Sequence, residues 1–248
     1  MPFTPSHAAA VLPFLRTPLP ASALVVGSIA PDLPYFLPGS PSWETHSALA
    51  LVTTDLLMGA LAWAVWHALL AEPALAGAPR ALRSRLGDVP LGLPVRLRRP
   101  GAIPWTALAL VVGAATHVLW DEFTHAGRWG TEHLPLLADD WGPVEGHRWL
   151  QHASSAVGGA VLLVWLARWW RDAERVPARP RPGAWPVWAG ITAVAVAAGT
   201  CGALLAPDLR VAAFDGITWG GGAALSAALL VALAWRLRFS GPRQGEER

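Results

Sequence analysis

The chain has 248 residues, of which 53% are hydrophobic and only 15% charged. An ordinary soluble domain carries roughly 25% charged residues. Nineteen arginines, no lysine and seventeen acids leave a formal charge of +2, and such an apolar chain is not the soluble basic fold of a nucleic-acid binder. The single cysteine, Cys201, excludes a disulfide framework and a thiolate zinc site. The composition points to an all-α, polytopic membrane protein in which only the tail is disordered.

The first 45 residues hold two apolar runs, 8–15 and 21–29, separated by Arg16-Thr17-Pro18-Leu19-Pro20. Each run is too short to span a bilayer alone. One reading is a helical hairpin that dips partway in and returns His7 and Asp32 to the same level. The other is a sixth, tilted span over 19–37, which would put His7 on the opposite side. Arg16 favours the second reading, and no cleavable signal peptide is visible.

Five uncharged or nearly uncharged stretches of bilayer length follow, at 49–70, 103–120, 153–170, 185–205 and 217–235. Trp105, Trp169, Trp170, Trp185, Trp188, Trp219 and Trp235 lie near their ends, as interfacial anchors do. Gly216 and Gly220 form a small-xxx-small pair suited to close helix approach. Residues 1–238 read as one integral-membrane domain, and 239–248 as a disordered tail.

Arginine orients the spans. Segment 72–104 holds six arginines, 168–186 five, and the tail after Trp235 four. Segment 121–152 instead carries six acids with only Arg128 and Arg148, and the loop 206–216 has one arginine. By the positive-inside rule this is a multi-pass protein of the bacterial cytoplasmic (inner) membrane with its C-terminus in the cytoplasm.

The histidines take the other side. Apart from His67, expected at the interface, they fall outside or at outer helix ends. Ionisable groups within membrane segments are costly and are functional candidates by default. In Thr116-His117-Val118-Leu119-Trp120-Asp121-Glu122-Phe123-Thr124-His125, helical spacing of four places His117, Asp121 and His125 along one face. Imidazole and carboxylate suit zinc or another divalent transition metal. Asp32 and His46 join the set by topology, since His46 begins one span at the face where Asp121 ends the next. The plainer alternative is that His117 and Asp121 satisfy each other by hydrogen bonding. His133 and His147 are expected to be solvated, and Asp55, mid-span, to serve helix packing ahead of supporting a metal ligand or lining a polar path.

Met1-Pro2-Phe3-Thr4 with His7, and Gly27-Ser28-Ile29-Ala30-Pro31-Asp32 with Tyr35-Phe36, resemble the bacterial membrane family named domain of unknown function 4184. Gly113-Ala114-Ala115-Thr116-His117 with Trp120 to His125, and Gln151-His152-Ala153-Ser154-Ser155-Ala156-Val157-Gly158, match its other motifs. The resemblance covers about residues 1–170 through motifs and the rest through hydropathy. More distantly, Pro31-Asp32, Thr45-His46-Ser47 and Thr116-His117 with Asp121, Thr124 and Ala126-Gly127 resemble inner-membrane metal-dependent hydrolases. The His-xxx-Asp pair is also similar to zinc-dependent phospholipase C enzymes, in which His and Asp residues from several helices hold a metal cluster. That likeness implies His7, Asp32, His46, His117 and Asp121 as ligands, with His125 next. The chain lacks the later His-xxx-Glu pair of the phospholipases, which favours one or two metals over three.

Two functions are therefore expected in competition. The first is a membrane-embedded metal hydrolase, with zinc the favoured ion and Asp32, Asp121 or Glu122 as base. It would act on a membrane lipid or lipid-linked phosphoester at the outer face of the membrane and not on nucleic acid. The second is a non-enzymatic assembly partner or small transporter. Neither fixes an oligomeric state.

Overall fold

Apolar stretches of bilayer length must close their backbone hydrogen bonds internally, because hydrocarbon offers no water to accept them. The computed structural model describes residues 4–87, 89–177 and 184–239, and among these the only regular elements are helices. Five helical segments are long and apolar enough to cross a membrane: Ala50–Gly77, Ala102–His133, Gly146–Asp172, Trp185–Leu205 and Leu209–Arg238. The protein is an all-α polytopic membrane protein. Its contacts group into two compact units, Met1–Ala64 with Leu97–Ala173, and Val65–Arg96 with Glu174–Arg248.

In the first unit the N-terminal segment is a hairpin, not a sixth span. A 3-10 helix over Thr4–Arg16 runs out, and the α-helix Ala21–Gly27 runs back into a second 3-10 stretch, Ala30–Phe36. Pro13, Pro31 and Pro34 lie inside the 3-10 segments and Pro20 precedes the α-helix. Proline lacks the N–H that a continuous α-helix needs, so a tilted helix over 19–37 cannot form. The turn closes where the Thr17 hydroxyl and backbone N–H both donate to the Phe14 carbonyl.

The Ala21–Gly27 arm lies against the Ala102–Thr124 helix. Gly113 is the contact that permits it: a Cβ there would stand 2.7 Å from the Ser28 nitrogen and would overlap the Leu24 carbonyl. Leu24, Ala23, Ala109, Leu110 and Ala114 are buried around this crossing. The other arm meets the Gly146–Asp172 helix at Gly158, whose Cβ would lie 3.0 Å from the Ser6 carbonyl oxygen. Small residues at both crossings replace the hydrophobic drive that lipid cannot supply. Indole and hydroxyl groups then pair, Trp63 with Ser22 at 2.9 Å and Trp120 with Ser154 at 3.1 Å. Leu57, Leu61 and Ile103 point outward, as lipid-facing side chains do.

Two helices of this unit differ from their expected bounds. The second span continues past Trp120 to Thr124 and ends there, so His125 lies beyond the helix in extended backbone. Gln151 donates to the Thr124 carbonyl at 3.2 Å, taking the acceptor that another helical turn would use. The third span begins at Gly146, seven residues before the apolar run, and takes His147 and His152 into the helix. His147 is therefore buried, not solvated, with Nδ1 3.2 Å from the Leu137 carbonyl oxygen. His133 is exposed and stacks on Trp129 at 4.9 Å.

In the second unit, Trp185–Leu205 and Leu209–Phe239 form an antiparallel pair. Asp208 accepts the Val211 N–H at 2.9 Å, so the second helix starts at Leu209 and most of the expected 206–216 loop is helical. Gly216 and Gly220 do pack closely, both against Gly199. His67 is buried in a π-helical turn, Trp66–Leu70, where interfacial exposure was expected. Apart from Phe239, the tail over 239–248 lies outside the described residues.

Candidate metal centre

The hairpin, the start of the first span and the end of the second bring His7, Asp32, His46, His117 and Asp121 together, all at least nine-tenths buried. Asp32 follows Pro31 in the Ala30–Phe36 turn, and His117 and Asp121 occupy consecutive turns of one helix. His46 sits at φ +63°, a left-handed conformation that a non-glycine residue adopts only under constraint. The constraints are visible. The Arg128 guanidinium donates to the His46 carbonyl at 3.0 Å, and the Thr45 hydroxyl meets His46 Nδ1 at 2.8 Å. Both leave His46 Nε2 facing inward.

The donor atoms fall into two overlapping groups close enough to share an ion, Asp32 with His46 and His117, and His7 with His117 and Asp121. His46 Nε2 is 3.4 Å from Asp32 Oδ1 and 3.5 Å from Asp121 Oδ2. His117 Nε2 is 3.6 Å from Asp32 Oδ1 and 3.4 Å from Asp121 Oδ2. These separations exceed an N–H···O hydrogen bond, which runs to about 3.2 Å. They match a tetrahedral zinc shell, where ligands at roughly 2.0–2.2 Å from the ion stand roughly 3.3–3.6 Å from each other. His117 Nε2 has no hydrogen-bond partner. A pair formed only to satisfy its own polar groups would have closed that bond.

The outer hydrogen bonds suit this geometry. His117 Nδ1 lies 2.8 Å from the Ser28 carbonyl oxygen, which takes its proton and leaves Nε2 as a lone pair. The Thr4 hydroxyl donates to Asp32 Oδ2 at 2.6 Å, leaving Oδ1 for the centre. Metal-binding imidazoles and carboxylates are commonly oriented this way.

On the other side of Asp121, His7 Nε2 is 3.6 Å and His125 Nδ1 3.4 Å from Oδ1. His7 stacks on His117 with ring centroids 3.8 Å apart, and neither of its nitrogens has a hydrogen-bond partner. His125 is the most open of the histidines here, its side chain 27% exposed. Gln151 Nε2 approaches His125 Nε2 at 3.3 Å.

The local field favours a cation. Burial opposes charge on Asp32, but the approach of His117 and His46 with the Thr4 hydrogen bond outweighs it, and the carboxyl is held well below its usual range. Burial and the adjacent His117 push His7 down to about 4, against the pull of Asp121 and Asp32, so it is a neutral imidazole. At His46, burial opposes protonation but Asp121 and Asp32 overcome it and raise the pKa. Buried charges are paired or bind metals, and the two carboxylates that favour a proton on His46 would equally favour a metal cation in its place.

The remaining expected residue is placed differently. The Glu122 carboxylate accepts the Trp129 N–H at 2.9 Å and pairs with Arg128 at 3.5 Å, engaged with the loop rather than the cluster. Asp55 is buried, and its electrostatic neighbours are His46 and His117. Thr4, Thr45, Arg128 and Gln151 were not distinguished by sequence reasoning, nor was Tyr35. Burial and then the Asp32 and Asp121 charges push the Tyr35 phenol up, so it stays a protonated donor. Thr4, three residues before His7, and Gln151, beside His152, stood within the recognised motifs.

Together these features define a polytopic helical membrane protein with a buried His/Asp cluster at one end of its spans. The profile of the family described as "Domain of unknown function (DUF4184)" matches residues 1–233, and the chain belongs to that family. No curated protein and no solved structure matches it.

Proposed function

We propose that the protein is a membrane-embedded metal-dependent hydrolase whose divalent ion, of the zinc class, is held by Asp32, His46, His117 and Asp121. The observation that carries this reading is the set of four inward donor atoms at 3.4–3.6 Å across the cluster, with His117 Nε2 unpartnered. The donor set is all nitrogen and oxygen, which suits zinc or manganese. When bound, such an ion polarises a phosphoryl or carbonyl oxygen and lowers the pKa of a coordinated water toward about 7.

The chain's own groups orient and protect that site. Ser28 and Thr4 fix the ligand faces of His117 and Asp32, and Arg128 with Thr45 holds His46 in its left-handed turn. Asp32 and Asp121 act as ligands in this scheme, and the Tyr35 phenol, kept protonated by burial and by both carboxylates, is the donor beside them. The arginine distribution supports a cluster at the outer face of the bacterial inner membrane, with the C-terminus cytoplasmic. A head group lies at that depth, so the substrate class is a lipid or lipid-linked phosphoester.

Zinc-loaded protein in detergent, assayed against a panel of lipid phosphoesters, should release phosphate or a phosphorylated head group from at least one. Chelation should abolish this and zinc should restore it. Loaded, folded protein that cleaves none of the panel would contradict the hydrolase reading. Thr4→Val should weaken metal affinity by about 10–100-fold while leaving the metal-free fold intact, as loss of an outer-shell partner does. Unchanged affinity by competition with a chromogenic chelator would remove Thr4 from the scheme. For sidedness, a C-terminal fluorescent reporter should be bright and a C-terminal alkaline phosphatase inactive. The converse would invert the topology.

A further inference from the structure

The four-donor centre uses one oxygen of Asp121. The other oxygen, Oδ1, is buried and has no hydrogen-bond partner. Facing it are His7 Nε2 at 3.6 Å and His125 Nδ1 at 3.4 Å, the latter also 3.2 Å from the Thr124 hydroxyl, which a bound ion would displace. His7 is 1% exposed and both its ring nitrogens lack partners, an expensive arrangement unless something occupies the space they face. His7 groups with His117 and Asp121, apart from the set of Asp32, His46 and His117. His7 addresses Oδ1 of Asp121, whereas His46 and His117 address Oδ2. The near-parallel stack of His7 on His117, 18° between ring planes, leaves the two imidazoles side by side over opposite oxygens of one carboxylate.

We infer that Asp121 bridges two divalent cations, the second held by Asp121 Oδ1, His7 Nε2 and His125 Nδ1. This rests on the metal-site reading above and deepens it. Three protein donors leave the second ion an open coordination position, on the side where His125 meets solvent. Binding through His125 Nδ1 requires the proton on Nε2. Paired ions roughly 3.5–4 Å apart characterise sites that clamp the attacking and leaving oxygens of a phosphoryl displacement. A second ion therefore fits the phosphoester class proposed above.

The test is metal stoichiometry on the full chain in detergent, titrated with manganese(II) alone and read by bound-metal analysis and electron paramagnetic resonance. Wild type should hold two equivalents and show the exchange-coupled signal of a bridged pair. His125→Ala and His7→Ala should each hold one equivalent and lose the coupling. Because His7 is buried in the hairpin contact, His125→Ala carries the test if the other variant does not fold. One equivalent in both wild type and His125→Ala would overturn the second ion and leave the four-donor centre standing. Two equivalents retained in His125→Ala would overturn the assigned ligand set. No bound manganese in wild type, with none of zinc either, would overturn both readings.

Discussion

Asp121→Ala is expected to yield folded protein that retains no tightly bound metal and has lost essentially all hydrolysis. Asp121 is the one side chain within 3.6 Å of four imidazoles, His7, His46, His117 and His125. Removing it takes a ligand from the four-donor centre and the proposed bridge from the second. The charge stabilisation that a bound ion supplies in a transition state is worth several kcal/mol. A loss of about 4 kcal/mol corresponds to about a thousandfold in rate. Asp121→Asn separates charge from shape: it keeps the volume but should still lose most of the metal, since the amide is a poor substitute for the carboxylate. Normal metal content in either variant, measured after gel filtration, would show that the ion lies elsewhere. Glu122→Gln is the natural contrast. Its carboxylate serves the Trp129 N–H and Arg128, so metal content should be unchanged.

The second large effect is expected far from any ligand. Gly113→Val should prevent the hairpin from seating and so dismantle the site without touching it. The added side chain would meet backbone, the Leu24 carbonyl and the Ser28 nitrogen, which have no rotamer through which to withdraw. Overpacking of this kind costs about 3 kcal/mol or more when the opposing atoms cannot move. Ser28 is also the residue whose carbonyl takes the His117 Nδ1 proton, at 2.8 Å, so the displacement reaches the metal ligands directly. The expected readouts are a lowered unfolding temperature in detergent and metal content well below one equivalent. Gly113→Ala, the smaller intrusion, should fall between. A Gly113→Val protein as stable and as metal-replete as wild type would contradict the packing described.

The spans were legible in the sequence because hydrocarbon imposes one simple requirement, an uncharged run of sufficient length. Their ends were less so. The second helix runs past Trp120 because Asp121 and Thr124 are polar residues turned inward, which hydropathy reads as an exit from the membrane. It stops at Thr124 because Gln151, twenty-seven residues later, competes for its carbonyl. The ligand candidates His7, Asp32, His46, His117 and Asp121 stood out because charge is rare in this chain and the two likenesses marked them. The spacing of four put Asp121 on the face of His117, but whether the adjacent Glu122 also reached the cluster as a base was beyond the sequence. One helical step of about 100° decides it, and the packing surface that sets the phase is formed by the distant hairpin. The orienting groups were hidden for a similar reason. Thr4, Thr45 and the Ser28 carbonyl are chemically ordinary, and only their distances make them matter.

The central claim is that the His/Asp cluster is a metal centre, and zinc X-ray absorption on the purified chain addresses it most directly. The protein, loaded and then freed of loosely bound ion, should retain zinc with nitrogen and oxygen scatterers at roughly 2.0–2.2 Å and the multiple-scattering pattern of imidazole. It should show no sulfur shell, since Cys201 is exposed and the only thiol. Zinc that washes away entirely, or that is retained through sulfur, would contradict the account.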